Sequence, residues 1–280
     1  PDKFTREELY RRFQAKGPYE FSCNPPEAPV LMADFTTKPI YQVKEGDEVI
    51  GWTMKPGERK ILVKSKVLKT GSKQAPIQKV YLESGKTIRC TPDHRWYVRH
   101  SFDSSHNNYL PAKVGRKLRY VYGYYEDIYL DEKKQRLAWW LGGIYDGEGA
   151  CSDGTIFLHQ SSTHNPSVHK RIGEALDILG FRYTKKDDYY WINGGLEAKV
   201  KFVKWCNPVK GQDIINSVWD KNKRFVKEKD LIVKITKCRR GKVCSLQTET
   251  GNYVVWGYAS KNCQFLNDPV PDTDATFRKD

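Results

Sequence analysis

The strongest constraint on the fold is a hydrophobic pattern that changes twice along the chain. From about residue 30 to 98, short runs rich in β-branched and aromatic residues are separated by turn signals such as Ser84-Gly85-Lys86, which is typical of an all-β domain. Between about 130 and 225, helical periodicity alternates with short strands, which indicates an α+β unit. After Lys229 the β pattern returns. The sequence therefore predicts an all-β domain interrupted by an α+β insertion.

Within the insertion the expected order is helix, two strands, helix, strands and a final helix. The helices are expected over 131–145, 166–179 and 213–226, and the strands over 150–152, 155–160, 181–186, 189–194 and 198–205. A further amphipathic helix is expected over 4–15, before the first β run.

Charge and composition narrow the classes of protein that fit. The 280 residues include 48 Lys and Arg against 34 Asp and Glu, so the formal charge is 48 − 34 = +14, which favours an anionic partner such as nucleic acid. A basic but inert surface accounts for the same charge equally well. The apolar content excludes wholesale disorder, and no stretch is long and apolar enough to cross a bilayer or to act as a signal peptide. We therefore expect a protein that is not secreted, with its seven cysteines as reduced thiols.

Three separated segments carry reactive side chains at the edges of the β pattern. Cys23 follows Ser22 and leads into VLMADFTTKPIYQVKEGDEVIGW, TPDHRW contains Thr91 and His94, and the second β segment ends in GYASKNC, with Asn262 before a cysteine. Together and in this order the segments resemble those of an intein, a self-splicing member of the Hedgehog/intein (Hint) family. The resemblance implies an all-β Hint horseshoe splicing domain interrupted by an α+β domain. It divides the chain into an N-extein segment (1–22), splicing-domain parts at 23–125 and 230–262, an inserted domain at 126–229 and a C-extein segment (263–280).

The resemblance assigns roles at the first splice junction. Cys23 would attack the carbonyl of Ser22 and convert the peptide bond into a thioester. His94 would act as the general acid that protonates the departing amine, and Thr91 would polarise the same peptide. No cofactor is needed, because one peptide bond is exchanged for another.

The resemblance also assigns roles at the second junction. Cys263 would attack the thioester and take over the upstream segment, and Asn262 would cyclise and cleave the bond that follows it. Two helper positions depart from the family pattern: Lys261 stands where His is frequent, and Ser245 stands where Asp is usual. Cys244 or Ser245 would take over part of the missing carboxylate's role, and a purely structural place in a buried strand accounts for them as well.

The flanks resemble another kind of protein. Joining GPYEFS to CQFLNDPVPDTDATF gives a string similar to the large terminase subunit of bacteriophages, the motor that packages DNA. The flanks would then be exteins processed in cis, and the chain would act in the cytoplasm of a phage-infected cell.

The insertion carries a glycine-rich motif, LGGIYDGEG, over residues 141–149. It resembles the LAGLIDADG motif of homing endonucleases, so the insertion would be an α+β LAGLIDADG-type domain with Glu148 as a ligand of Mg²⁺ and Asp146 in a capping role. A glycine-rich helix end explains the same residues. The motif occurs once, so an active nuclease would need a homodimer formed through this helix.

DNA would be bound by a basic tract after the motif. The residues expected to contact it are Lys201, Lys204, Lys221, Lys223 and Arg224. A solvated basic face accounts for any one of these residues.

Overall fold

The fold is dominated by antiparallel strands. The computed structural model describes residues 22–53, 61–98, 109–120, 130–152, 154–219, 223–224 and 229–262; the helix expected over 4–15 lies outside them. The strands of the first β segment are β1 (Pro29–Leu31), β2 (Thr37–Pro39), β3 (Glu48–Trp52), β4 (Ile61–Leu82), β5 (Thr87–Cys90), β6 (Arg95–Tyr97), β7 (Tyr109–Pro111) and β8 (Lys117–Arg119). A 3₁₀ turn at Ile40–Gln42 follows β2.

The interrupting segment contains helices and strands in alternation, as the sequence pattern predicted. Its elements are α1 (Glu132–Glu148), β9 (Gly149–Ser152), β10 (Thr155–His159), α2 (Pro166–Ile178), β11 (Tyr183–Lys186), β12 (Tyr189–Ile192), α3 (Gly195–Cys206) and α4 (Gly211–Trp219). Its four strands form one antiparallel sheet in the order β11-β12-β10-β9. The chain then returns to β structure with β13 (Lys223–Arg224), β14 (Lys229–Thr248), β15 (Asn252–Val255) and β16 (Tyr258–Lys261).

Two long strands connect the start and the end of the β structure. The 22 residues of β4 pair with the 20 residues of β14, from Ile232 opposite Leu82 to Thr248 opposite Val67. The register shifts between Lys237 and Arg240; close to this shift Pro76 in β4 lacks the N–H that a regular ladder requires. A second sheet has the order β2-β1-β15-β16-β6-β7. It sets the last strand of the chain beside β6, although about 160 positions separate them in sequence.

Three large apolar clusters occur among the described residues, besides a small one around Cys23. One fills the β structure, a second lies inside the insertion, and a third joins the two. In the third, Phe35 stacks on Trp219 with ring centroids 5.5 Å apart, and Trp219 Nε1 donates to the Ala33 carbonyl at 3.1 Å. Helix α4 therefore covers apolar side chains of the β sheets outside the insertion, and burial of this kind is worth about 25 cal/mol per Å². No helix within the described ranges combines the length and hydrophobicity of a bilayer span.

Two local expectations are wrong. The strand expected over 198–205 is part of α3, and the helix expected over 213–226 ends at Trp219. Residues 198–205 alternate apolar and charged side chains, as a half-buried strand does. In the helix, however, Val200 packs into the core shared with the β sheets, whereas Phe202 packs inside the insertion. A helix buried on two sides does not display the simple 3.6-residue stripe.

Candidate functional site

The Ser22–Cys23 peptide is buried and is held by Thr91. Ser22 is 2% exposed and Cys23 is 0% exposed. The Cys23 amide N–H donates to Thr91 Oγ1 at 3.3 Å, and the Thr91 amide donates to the Cys23 carbonyl at 3.0 Å. The Thr91 hydroxyl thus contacts the nitrogen that would leave during an acyl shift. Arg95 N–H donates to Ser22 Oγ at 3.3 Å and fixes the other side of the junction.

The residues after the junction are anchored to β14. Asn24 and Cys244 exchange two backbone hydrogen bonds of 2.9 and 2.7 Å. The Cys23 side chain packs in a small apolar cluster with Ala75, Val243 and Ile77. The β4–β14 ribbon therefore fixes the position of the thiol, although the cysteine itself precedes the first strand.

His94 lies inside the same site. The imidazole is fully buried and packs against Trp96, with ring centroids 4.3 Å apart. Burial lowers the pKa of His94 from 6.5 to about 3, and the backbone of Cys23 opposes this by raising it. The ring is therefore neutral at pH 7, and a proton placed on it is readily given up to a departing amine. Its Nδ1 has no hydrogen-bond partner among the described residues.

The C-terminal junction reaches the site from β16. Asn262 is 8% exposed, and its backbone N–H donates to the Gly251 carbonyl at 3.1 Å. Its side-chain amide fits with Nδ2 donating to the Gly251 carbonyl at 2.9 Å and Oδ1 accepting from the Thr248 amide at 3.3 Å. The turn between β14 and β15 thus holds the amide, and Gly251 has a φ of +73° there, a conformation suited to glycine.

A serine that the sequence reasoning missed connects the two junctions. Ser260 Oγ lies 2.9 Å from His94 Nε2 and donates to the Lys261 carbonyl at 3.0 Å. Strand β16 pairs with β6 so that Ser260 lies opposite Trp96, and this register brings the Ser260 hydroxyl to the His94 ring. In the sequence, Ser260 is marked only by its place two positions before Asn262.

Some of the predicted splicing residues therefore lie together in one site. The structure brings Cys23, Thr91 and His94 together and links His94 to the Lys261–Asn262 peptide through Ser260. Cys263 lies outside the described residues.

The predicted helpers take different positions. Cys244 is 5% exposed in the main core, and its backbone pairs with Asn24. Ser245 is fully buried, and its hydroxyl has no hydrogen-bond partner in the described part of the chain. Lys261 is half-buried at the end of β16, with Nζ 6.0 Å from the centroid of the Tyr109 ring.

The glycine-rich motif forms the second half of α1. A Cβ at Gly142 would lie 2.1 Å from the Cys206 carbonyl oxygen, whereas one at Gly143 or Gly147 would meet nothing within 4 Å. The close backbone approach is thus made to α3 of the same chain. The Asp146 carboxylate accepts from the amides of residues 209 and 210 at 2.8 and 2.9 Å, just before α4 begins at Gly211. These bonds are made to the start of another helix, and not to the end of α1 as the motif predicts.

Glu148 ends α1 with an exposed carboxylate. Its Oε2 lies 4.0 Å from Nδ1 of His159. No cluster of three His, Cys, Asp or Glu side chains suited to a metal ion occurs among the described residues. Binding of Mg²⁺ by Glu148 stays a prediction.

The predicted DNA-binding residues are spread over several elements. Lys201 Nζ donates to the carbonyls of Leu179 and Gly180 at 3.0 Å each, so it caps the end of α2, and burial lowers its pKa. Lys204 lies in the last turn of α3. Lys223 and Arg224 form β13, which pairs with β4, and Lys221 lies outside the described residues. Contact of these residues with DNA stays a prediction.

Comparison with known proteins gives inteins among solved structures. The chain is similar to the DnaB intein from Synechocystis sp. (11% identity over 86% of this chain and 97% of that one, TM-score 0.39). It is also similar to the gp41-1 intein (10%, 86% and 98%, TM-score 0.38) and to the DnaX mini intein from Spirulina platensis (9%, 86% and 100%, TM-score 0.38). No protein-family model and no curated protein matches the chain.

Proposed function

We propose that the chain splices itself, excising residues 23–262 and joining Ser22 to Cys263. One observation carries the proposal. Buried, hydrogen-bonded side chains from three distant segments form a single site: Ser22, Cys23, Thr91, His94 and Ser260, with Ser260 bonded to the carbonyl that precedes Asn262. Groups held in this way react with effective molarities of about 10⁵–10⁸ M. A binding protein has no need to bury a cysteine and an asparagine from opposite ends of a domain around a neutral imidazole.

The first step forms a thioester. The Cys23 sulfur attacks the Ser22 carbonyl carbon, the C–N bond to Cys23 breaks, and the thiol proton passes through His94 to the departing amine. The hydrogen bond that the Cys23 N–H donates to Thr91 Oγ1 at 3.3 Å supports this step, because it fixes the orientation of the scissile peptide. The lowered pKa of His94 supports it too, because burial makes the protonated ring a strong acid.

The remaining steps move and release the segment. The Cys263 thiol displaces the Cys23 sulfur from the thioester. The Asn262 side-chain nitrogen then attacks its own carbonyl carbon, which breaks the bond to Cys263 and leaves a succinimide. The freed amine of Cys263 finally takes the acyl group from its own sulfur, giving the Ser22–Cys263 peptide bond. No electron is transferred and no cofactor enters.

A thiol-cleavage experiment tests the first step. The full chain with Asn262→Ala retains the thioester, so dithiothreitol should release residues 1–22. The same chain with Cys23→Ala should release nothing. Cys238→Ala removes an exposed cysteine and serves as the matched control, with unchanged release. Absence of release from the Asn262→Ala chain, or equal release with Cys23→Ala, would contradict the proposal.

The flanks belong to the same proposal. Residues 1–22 and 263–280 would be exteins of a terminase large subunit and the partners of the reaction in cis, in the cytoplasm of the infected cell. Their similarity to that subunit in sequence supports this assignment.

We propose nucleic-acid binding by the insertion as a second function. On the less buried face of its sheet, Phe157 pairs with Trp191 and His159 pairs with Tyr189. The Tyr189 and Trp191 rings are stacked, with centroids 5.3 Å apart. Aromatic rings and positive charge are the groups that hold bases and phosphates, and the chain carries a formal charge of +14.

Binding and cutting would be measured separately. With splicing blocked, the full chain should bind duplex DNA in a salt-dependent manner, and Trp191→Ala should weaken binding about tenfold, equivalent to about 1.4 kcal/mol. Trp139→Ala removes an exposed tryptophan of α1 and should leave binding unchanged. Cutting by a homodimer with Mg²⁺ should disappear with Glu148→Gln. Salt-independent binding, or equal effects of both tryptophan changes, would refute this second function.

A further inference from the structure

The Ser260 hydroxyl has no role in the steps proposed above, yet it lies between both junctions. Ser260 is 0% exposed. Its Oγ is 2.9 Å from His94 Nε2 and 3.0 Å from the Lys261 carbonyl oxygen. One hydroxyl therefore touches the side chain that serves the first cleavage and the backbone that leads into the second.

The number of hydrogens in this contact fixes which nitrogen of His94 is protonated. A serine hydroxyl has one hydrogen, and here it is donated to the Lys261 carbonyl. The contact at 2.9 Å then requires an N–H on Nε2 that donates to Ser260 Oγ. In the opposite arrangement Ser260 would donate its hydrogen to Nε2 and could not also donate it to the Lys261 carbonyl.

We infer that Ser260 is a positioning residue that holds a proton on Nε2 of His94 and reserves Nδ1 for the reacting proton. The inference rests on the proposed splicing function. The Cys23 thiol proton moves to Nδ1, and from Nδ1 to the departing Cys23 amine, while Nε2 keeps its own proton throughout. No other acid or base is needed, and the ring is neutral before and after the step.

The surroundings of the ring agree with this assignment. A backbone hydrogen bond of Cys23 raises the pKa of His94 against the effect of burial, so this backbone faces the ring and stabilises the proton that the ring takes up during the step. Nε2 is occupied by Ser260, so Nδ1 is the nitrogen left to face Cys23.

The second contact of Ser260 extends the inference to the other junction. A hydrogen bond to the Lys261 carbonyl restrains the peptide that precedes Asn262, and the Asn262 side chain can cyclise only from a suitable backbone orientation. Removing the hydroxyl should therefore slow cleavage at both junctions. Removing the Thr91 hydroxyl should slow only the first, because its contacts are with Cys23.

Rates of thiol-induced release test the kinetic part. In the full chain with Asn262→Ala, Ser260→Ala should slow release at least about tenfold, which is part of the 10²–10⁴ that general acid–base catalysis supplies in full. Ser260→Thr keeps the hydroxyl and should restore most of the rate. Ser65→Ala is the matched control, because Ser65 is fully buried and bonds to Thr250.

The outcomes separate this inference from the function on which it rests. If the Asn262→Ala parent releases nothing, the proposed function fails. If the parent releases residues 1–22 and Ser260→Ala does so at the same rate, or if Ser65→Ala is equally slow, only the role of Ser260 is overturned.

The ¹⁵N signals of the imidazole test the tautomer without any activity. In the full chain blocked by Cys23→Ala and Asn262→Ala, His94 should show a protonated Nε2 and a bare Nδ1. Adding Ser260→Ala should move proton population toward Nδ1. A ring protonated on Nδ1 in the blocked chain, or identical signals with and without the Ser260 hydroxyl, would overturn the inference.

Discussion

Acid should destabilise the protein through His94 before any carboxylate is protonated. The ordinary pKa of the ring is 6.5, and burial lowers it to about 3 in the folded chain. Below pH 6.5 the unfolded chain takes up a proton on this residue that the folded chain refuses. The stabilising effect of keeping the ring neutral is therefore complete above pH 6.5 and is lost as the pH falls from there toward 3.

The magnitude follows from the same shift. One pKa unit corresponds to about 1.4 kcal/mol, so lowering the pH from 7.5 to 5 should remove roughly 2 kcal/mol of unfolding free energy through His94 alone. That is a large fraction of the stability of an ordinary domain, about 5–15 kcal/mol.

Urea unfolding of the blocked precursor, with Cys23→Ala and Asn262→Ala, measures this loss. The precursor should lose roughly 2 kcal/mol more between pH 7.5 and pH 5 than the same chain with His94→Gln, which has no ring to titrate. The control is His164→Gln, which changes an exposed histidine of the insertion and should leave the pH dependence unaltered. Equal losses with and without His94 would refute the assignment of a buried, neutral imidazole to this site.

Three further substitutions test the packing of the insertion. Gly142→Ala should cost roughly 1–3 kcal/mol of unfolding free energy in urea, because its Cβ would meet the Cys206 carbonyl oxygen at 2.1 Å. Gly143→Ala, with open space around its Cβ, should be neutral or should stabilise the chain by up to about 1 kcal/mol. Equal effects of the two substitutions would contradict this packing. Trp219→Ala should cost roughly 3 kcal/mol and separate the unfolding of the insertion from that of the β sheets in calorimetry, while Trp219→Phe keeps the stacked ring and should cost less. Asp146→Ala should cost about 1–3 kcal/mol by removing two backbone hydrogen bonds, and unchanged stability would show that the cap is unimportant.

The elements with strong periodicity were predictable from the sequence, and the elements with two buried sides were not. The first two insertion helices lie within a few residues of their expected bounds, because Asp131 caps one and Pro166 begins the other. The pattern of helix α3 predicts a strand, because the helix packs against two cores at once. The full length of β4 and β14 cannot be predicted either, since Gly71 and Pro76 interrupt the pattern of one strand and Gly241 that of the other.

Cys23, Thr91, His94 and Asn262 could be predicted as candidate site residues because they lie in three segments that together resemble those of a known family, and Ser260 could not. A single cysteine or a single Asn-Cys pair would not have indicated the site in a sequence with seven cysteines. A serine in a strand looks ordinary until the pairing of β16 with β6 brings its hydroxyl to His94. Sequence spacing cannot show such a contact, because 166 positions separate the two residues.

The most direct test is a mass spectrum of the full chain soon after synthesis, with fragmentation of the short product. If residue 22 is transferred to residue 263, the spectrum should contain a free segment of residues 23–262 ending in a succinimide. It should also contain a peptide in which the sequence EFS runs directly into CQF. A wild-type chain whose mass never departs from full length, as in the doubly blocked variant, would show that the buried site described here does not exchange peptide bonds.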